Sequence, residues 1–171
     1  MTRRGQLVLL TAAVVAAALA PALLAYLQLG YHADAEASRD FESPTGDAIA
    51  ALDRAVFEAS ASVAGEYAWT ERGAAADRVR AVLAPRIDRL EASRVVDGTA
   101  VTVAYNGTAA ARATTRSCPT GNGRAFGDCR ADGGVVLQER AGESTLVAVA
   151  FDVRVVRPNG ETSVTVVDEV G

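Results

Sequence analysis

From Leu7 to Leu29 the chain runs for 23 residues without a charge, broken only by Thr11, Pro21 and Gln28. At ~1.5 Å of helical rise per residue such a run reaches roughly 34 Å, enough for a ~30 Å hydrocarbon core. Lipid offers the backbone no hydrogen-bond partners, so a spanning segment of this kind has to be a helix. The apolar stretch of a cleaved secretion signal is shorter, about 7–15 residues. The small-x-small step inside the run, Ala18-Leu19-Ala20, is followed by Pro21, a poor cleavage context; Ala33-Asp34-Ala35 lies past its end. The reading is a retained anchor. Pro21 removes one helix hydrogen bond and is expected to kink it.

Charge sets the expected orientation. Arg3 and Arg4 precede the run, whereas Asp34, Glu36, Asp40 and Glu42 surround a lone Arg39 beyond it. Basic residues stay cytoplasmic, which puts the N-terminus inside and the remainder outside. Tyr26 and Tyr31 flank the exit, as an interfacial aromatic belt would. The chain then divides into a basic head (1–6), a transmembrane helix (7–29), a linker (30–46) and an exterior domain (47–171).

The head Arg3-Arg4-Gly5-Gln6, running directly into Leu7-Val8-Leu9-Leu10, resembles the start of archaeal type IV pilin-like and Tad-type pseudopilin precursors. The extension Leu24 to His32 resembles single-span pilin-like proteins of haloarchaea. The resemblance implies a processing site at Gly5-Gln6 and a hydrophobic helix that packs against others in a surface assembly. Typical pilins carry a glutamate five residues into the mature helix; Leu10 stands there in this chain. Ala12, Ala13, Ala16, Ala17, Ala18 and Ala20 give the run a small-residue surface, and Ala13, Ala16, Ala17 and Ala20 are the expected positions of close helix approach. The expected partners are membrane lipid and other pilin-like subunits.

All 17 basic residues are arginine, against 21 acidic ones. Without Arg3 and Arg4 the body is clearly acidic, and its arginines are scattered, so nucleic acid is not an expected partner. Acidity without lysine is also a composition expected of a salt-adapted archaeon with a GC-rich genome.

Beyond the linker the pattern changes twice. Ser43 and Pro44 read as a cap and first helical position. From Asp47, the positions Ile49, Leu52, Val56, Ser60, Val63 and Tyr67 recur at helical spacing, with Gly65 weakening the end. Val79, Val82, Leu83, Ile87 and Leu90 form a second helical pattern, which Pro85 is expected to kink or divide. After Ser93 the texture is β. Val95-Val96, Asp97-Gly98 and Val101, Val103, Tyr105 read as a tight hairpin. Val135–Leu137 reads as a strand, Leu146–Arg157 as a longer one, and Pro158–Glu161 as a turn into a partner strand from Thr162 to Val167. Helices followed by strands predict an α+β domain with an antiparallel sheet, an order that pilin-like proteins share.

Candidate chemistry is sparse. Cys118 and Cys129 bracket a Gly-rich stretch and, on the exterior side, are expected to form a disulfide closing an excursion between strands. Asn106-Gly107-Thr108 is an N-glycosylation sequon, making Asn106 a glycan candidate. His32 is the only histidine, remote from the cysteines, so neither a zinc site nor a Ser-His-Asp arrangement is expected. Asp128, Asp132, Glu139 and Asp152 have no metal-loop spacing, and Gly121-Asn122-Gly123 lacks the Lys-Ser/Thr of a phosphate-binding loop. Tyr67 and Trp69 read as helix-end packing. No cofactor and no catalytic residue is expected. Two functions fit: an assembly subunit, or a surface-anchored exterior binding module.

Overall fold

The computed structural model describes residue 19 and residues 43–93, 95, 98–121 and 123–170. The chain divides into two units, Met1–Ser43 and Pro44–Gly171. The head, the expected span apart from Leu19, and the residues Gly5, Gln6, Ala13, Ala16, Ala17 and Ala20 lie outside the described residues. Among the described residues, no helix is long and apolar enough to cross a membrane.

The second unit is α+β. Helix α1 (Pro44–Ala61) begins with Pro44 directly after Ser43, at the first helical position the sequence indicates. A proline costs nothing at the first helical position, where its missing N–H would have no partner. The helix buries Ala48, Leu52, Ala55, Val56 and Ala59 along one stripe. It ends six residues before Tyr67, the last position of the expected periodicity. Val63 is fully buried and Tyr67 packs on the core, so the apolar spacing persists after the backbone has left the helix. Gly65 makes that departure at φ +73°, a left-handed conformation suited to glycine.

Helix α2 (Arg72–Ala92) is continuous through Pro85, not divided there, and buries Ala75, Ala76, Val79, Leu83 and Ile87. Pro85 and Ala81, whose carbonyl loses its helical donor, are both exposed, so water can satisfy that carbonyl.

Strand β1 (Ala100–Tyr105) is not half of a local hairpin. Its partner is the second half of β4 (Glu143–Arg157), with Val101 opposite Val155 and Tyr105 opposite Phe151. Val95 is 64% exposed, and its carbonyl accepts a turn bond from Gly98 N–H; Val96 and Asp97 lie outside the described residues. Helix α3 (Gly107–Arg116) and strand β2 (Phe126–Asp132) were not anticipated. Strands β3 (Val135–Arg140), β4 and β5 (Gly160–Glu169) follow the sequence pattern, with a two-residue turn, Pro158-Asn159, joining β4 to β5.

All pairings are antiparallel, and β4 organises them. β5 pairs with residues 148–157 of β4, β3 with residues 143–149 and β1 with residues 151–156. Because β5 overlaps both of the others, β3 and β1 must share the opposite edge of β4, end to end. The hand-over falls at Ala150, whose N–H donates to Gly134 O at 2.8 Å while its carbonyl accepts from Asn106 N–H at 2.9 Å. The seam is tight: a Cβ on Gly134 would lie 2.8 Å from Tyr105 Cβ.

Helices α1 and α2 cover one sheet face over a core that includes Leu52, Val79, Leu83, Leu137, Leu146 and Phe151. The other face holds a smaller cluster, Ala110 and Ala113 of α3 against Val136, Val147, Ala148 and Ala150. A bulge in β4 opposite Val136 and Leu137 turns both Val147 and Ala148 towards α3.

Candidate functional site

The cysteines are joined: Cys118–Cys129 forms a disulfide with a Cα–Cα distance of 6.0 Å. The closed loop does not lie between strands, as expected. It connects the end of α3 to β2, because Cys118 directly follows the helix cap Ser117 and Cys129 lies within β2. A residue absent from the sequence reading holds this loop from below. Gln138 is fully buried in β3 opposite Cys129. Its Nε2 donates to Pro119 O at 2.7 Å and Gly127 O at 3.3 Å, and its Oε1 accepts from Arg140 Nε at 3.0 Å. A buried amide needs such partners, and the signal for it was a glutamine continuing the apolar run Val135–Leu137. Arg140 and Arg124 also lie over the Phe126 ring, 4.7 and 5.6 Å from its centroid. The loop is thereby tied at both ends and along its length.

Asn106 lies at the sheet seam and caps α3, its Oδ1 accepting from Ala109 N–H at 2.8 Å. Its Nδ2, the atom a glycan would occupy, donates to Asp152 Oδ1 at 2.8 Å and Oδ2 at 3.0 Å. Thr165 Oγ1 donates to the same carboxylate at 2.6 Å. The Thr165 and Asn106 hydrogen bonds hold the Asp152 carboxyl below its ordinary pKa. The sequon asparagine is therefore integrated into the fold through both ends of its amide.

The carboxylates singled out in the sequence stay apart. Asp128 pairs with Arg130 at 3.2 Å, and Asp132 with Arg80 at 2.7 Å. Glu139 lies against Gly127, where a Cβ would run into its side chain. Among the described residues, no group of three or more His, Cys, Asp or Glu could hold a metal ion. Tyr67 and Trp69 pack at the edge of the core. Their backbone joins the β3–β4 turn through Trp69 N–H to Gly142 O and Ser144 N–H to Tyr67 O, both 2.8 Å.

A different carboxyl is perturbed. Asp168, near the end of β5, follows Val164 and Val166 in the row facing α1 and has one oxygen buried without a partner. Burial first, then the charge of Asp53 on α1, raises its pKa to about 6.

The basic groove lies between the two long helices. About 270 Å³ in volume, it is lined by Arg54, Ala55 and Glu58 of α1 and by Arg86, Arg89 and Leu90 of α2. Arg86 Nη2 reaches Glu58 Oε2 at 2.6 Å, whereas Arg89 Nε bonds to Pro85 O at 2.9 Å, its own preceding turn. Three guanidinium groups thus face one carboxylate in a chain that is acidic as a whole.

A model for a family of unknown function (DUF7261) matches residues 1–169. The chain belongs to that family. The match takes in the apolar N-terminal run as well as the folded unit, so both belong to the shared DUF7261 architecture. No curated protein and no solved structure matches the chain.

Proposed function

We propose that this chain is a non-catalytic, membrane-anchored component of a type IV pilus-like or secretion-type surface assembly, related in plan to pilin-like and pseudopilin-like proteins. Residues 7–29 hold it in the membrane with the N-terminus cytoplasmic, and the unit from Pro44 onward works outside. The observation that carries this reading is the order of parts: an uncharged run, then helices, then a disulfide-stapled antiparallel sheet. A disulfide suits an oxidising exterior. The alanine surface of the run supports lateral packing, because small residues let helices approach closely in lipid.

Crosslinking in native membranes tests the assembly role. The parent should give higher-mass adducts, and replacing Ala13, Ala16, Ala17 and Ala20 with leucine should abolish them while leaving the chain membrane-bound. Equal adducts in parent and variant would remove assembly through this helix. Intact-mass measurement on the same preparation reads processing at Gly5-Gln6. The arginine-lined groove favours a second reading, a surface-anchored binding module with no assembly role. Under that reading, parent membranes yield no self-adducts.

A further inference from the structure

We propose that the outer face of the α1–α2 layer docks on an anionic lipid surface through Arg54 and Arg89, with Phe57 as its apolar contact. This rests on the anchored reading and extends it. Three observations meet on one face. The groove carries three arginines against Glu58, and Arg54 has no hydrogen-bond or salt-bridge partner among the described residues. Among the described residues Arg89 engages only its Nε, which leaves its two terminal nitrogens for a ligand. Phe57, three residues from Arg54 and therefore beside it on the helix, is 68% exposed, more than any other described large apolar side chain. Helix-end electrostatics account for Arg89 in the last turn of α2, but neither for Arg54 nor for an aromatic ring left in water.

Chain length and charge identify the occupant. Fourteen residues separate Leu29 from Pro44. Fully extended, that stretch reaches at most roughly 50 Å, so on the anchored reading the start of the unit is tethered within that distance of the bilayer. An acidic body is repelled by an anionic surface, so what approaches has to be the groove, where three guanidinium groups outnumber the one lining carboxylate. Guanidinium matches the phosphate oxygens of a lipid headgroup with paired N–H donors, and a phenylalanine side chain gains by entering the interfacial layer.

The test uses the full chain in nanodiscs with Trp69→Phe and Phe57→Trp, which leaves residue 57 as the sole tryptophan. In phosphatidylglycerol discs its emission should shift to the blue and be quenched by lipids brominated near the headgroup. In phosphatidylcholine discs both effects should be lost, as they should be in anionic discs when Arg54→Gln and Arg89→Gln are added. An unchanged thermal transition in these variants shows that the fold persists. Emission typical of water in both lipids overturns the docking, and equal quenching in both overturns headgroup recognition. Carbonate extraction separates this from the anchored reading. If carbonate strips the chain from membranes, anchoring fails, and flotation with anionic but not neutral vesicles then decides the docking by itself.

Discussion

The two faces of the sheet are held by different means. Under α1 and α2 the contacts are large: Leu52, Leu83, Leu137, Leu146 and Phe151 are all 2% exposed or less. Burying side chains of that size contributes about 1.5–3 kcal/mol each relative to leaving them in water. Under α3 the helix contributes only alanines: Ala110 and Ala113 buried and Ala109 partly so. Its sequence, Gly107-Thr-Ala-Ala-Ala-Arg-Ala-Thr-Thr-Arg116, offers no large apolar side chain, and ten residues are too few for a helix stable by itself. Local devices make up the difference. Asn106 caps the start and ties it to Asp152, the disulfide fixes the chain just past the end, and Gln138 secures the loop that follows. One face is stabilised by area, the other by placed hydrogen bonds and a covalent link.

The largest expected effect separates the faces most sharply. Phe151→Ala empties the centre of the large core, beside Tyr105 at 5.3 Å between ring centroids. It should cost about 3–5 kcal/mol, seen as a lower denaturant midpoint for the whole unit. A loss below ~1 kcal/mol would show that the core had collapsed around the gap, against the close packing argued for this face.

Reducing Cys118–Cys129 comes next, at about 3 kcal/mol for a loop of this length. Hydrogen exchange should accelerate first in α3 and β2, with α1 and α2 amides little changed. Uniform acceleration across both helical layers would mean that the faces unfold as one.

Asn106→Ala should cost about 1–2 kcal/mol, as the loss of an N-cap does, and should expose the first-turn amides of α3. Asn106→Asp keeps the cap acceptor but sets a second carboxylate beside Asp152. It should therefore be tolerated better as pH falls. Identical pH profiles for the two variants would count against the Asp152 contact.

The smallest effect sharpens the picture on the large face, where Asp168 follows Val164 and Val166 in their row on β5. Its folded pKa, about 6, lies above the ordinary 3.8. The folded state therefore prefers the proton: stability is highest while the group is protonated in both states, and it declines as pH rises from the ordinary value through about 6. Asp168 is only partly buried, so screening reduces the effect to about 1 kcal/mol at neutral pH. Asp168→Asn should raise the melting temperature at pH 7 and flatten this dependence. An unchanged pH profile would remove the Asp53–Asp168 repulsion from the account.

The legible parts were those encoded over short distances. Alternation from Phe151 to Val155 and the Pro158-Asn159 turn specify the β4–β5 hairpin, since neighbours in sequence supply both the pattern and the reversal. The stripe Leu52, Val56 marks α1, and the stripe Val79, Leu83, Ile87 marks α2, in the same way. Cys118 and Cys129 were recognisable as a pair from compartment and number, although not as a bridge from a helix to a strand. Gln138 and the arginine groove were not legible, because a glutamine in a strand and arginines three residues apart look ordinary until another element lies against them.

Sequence by itself determined the uncharged run, the helix-then-strand order, the acidic lysine-free composition and the local turns. Each depends on residues close enough in the chain to act on one another before folding. Tertiary structure alone decided that β1 pairs with β4 instead of with Val95-Val96, and that an alanine-rich segment after Asn106 becomes a helix. It also decided that a sequon asparagine becomes a seam and a cap. The physical reason is common to all three. A backbone N–H or carbonyl must find a partner wherever the chain is buried, and which partner is available depends on elements dozens of residues away. At Ala150, Gly134 and Asn106 supply the two bonds from opposite sides of the hand-over, a pairing that no local window of the sequence contains.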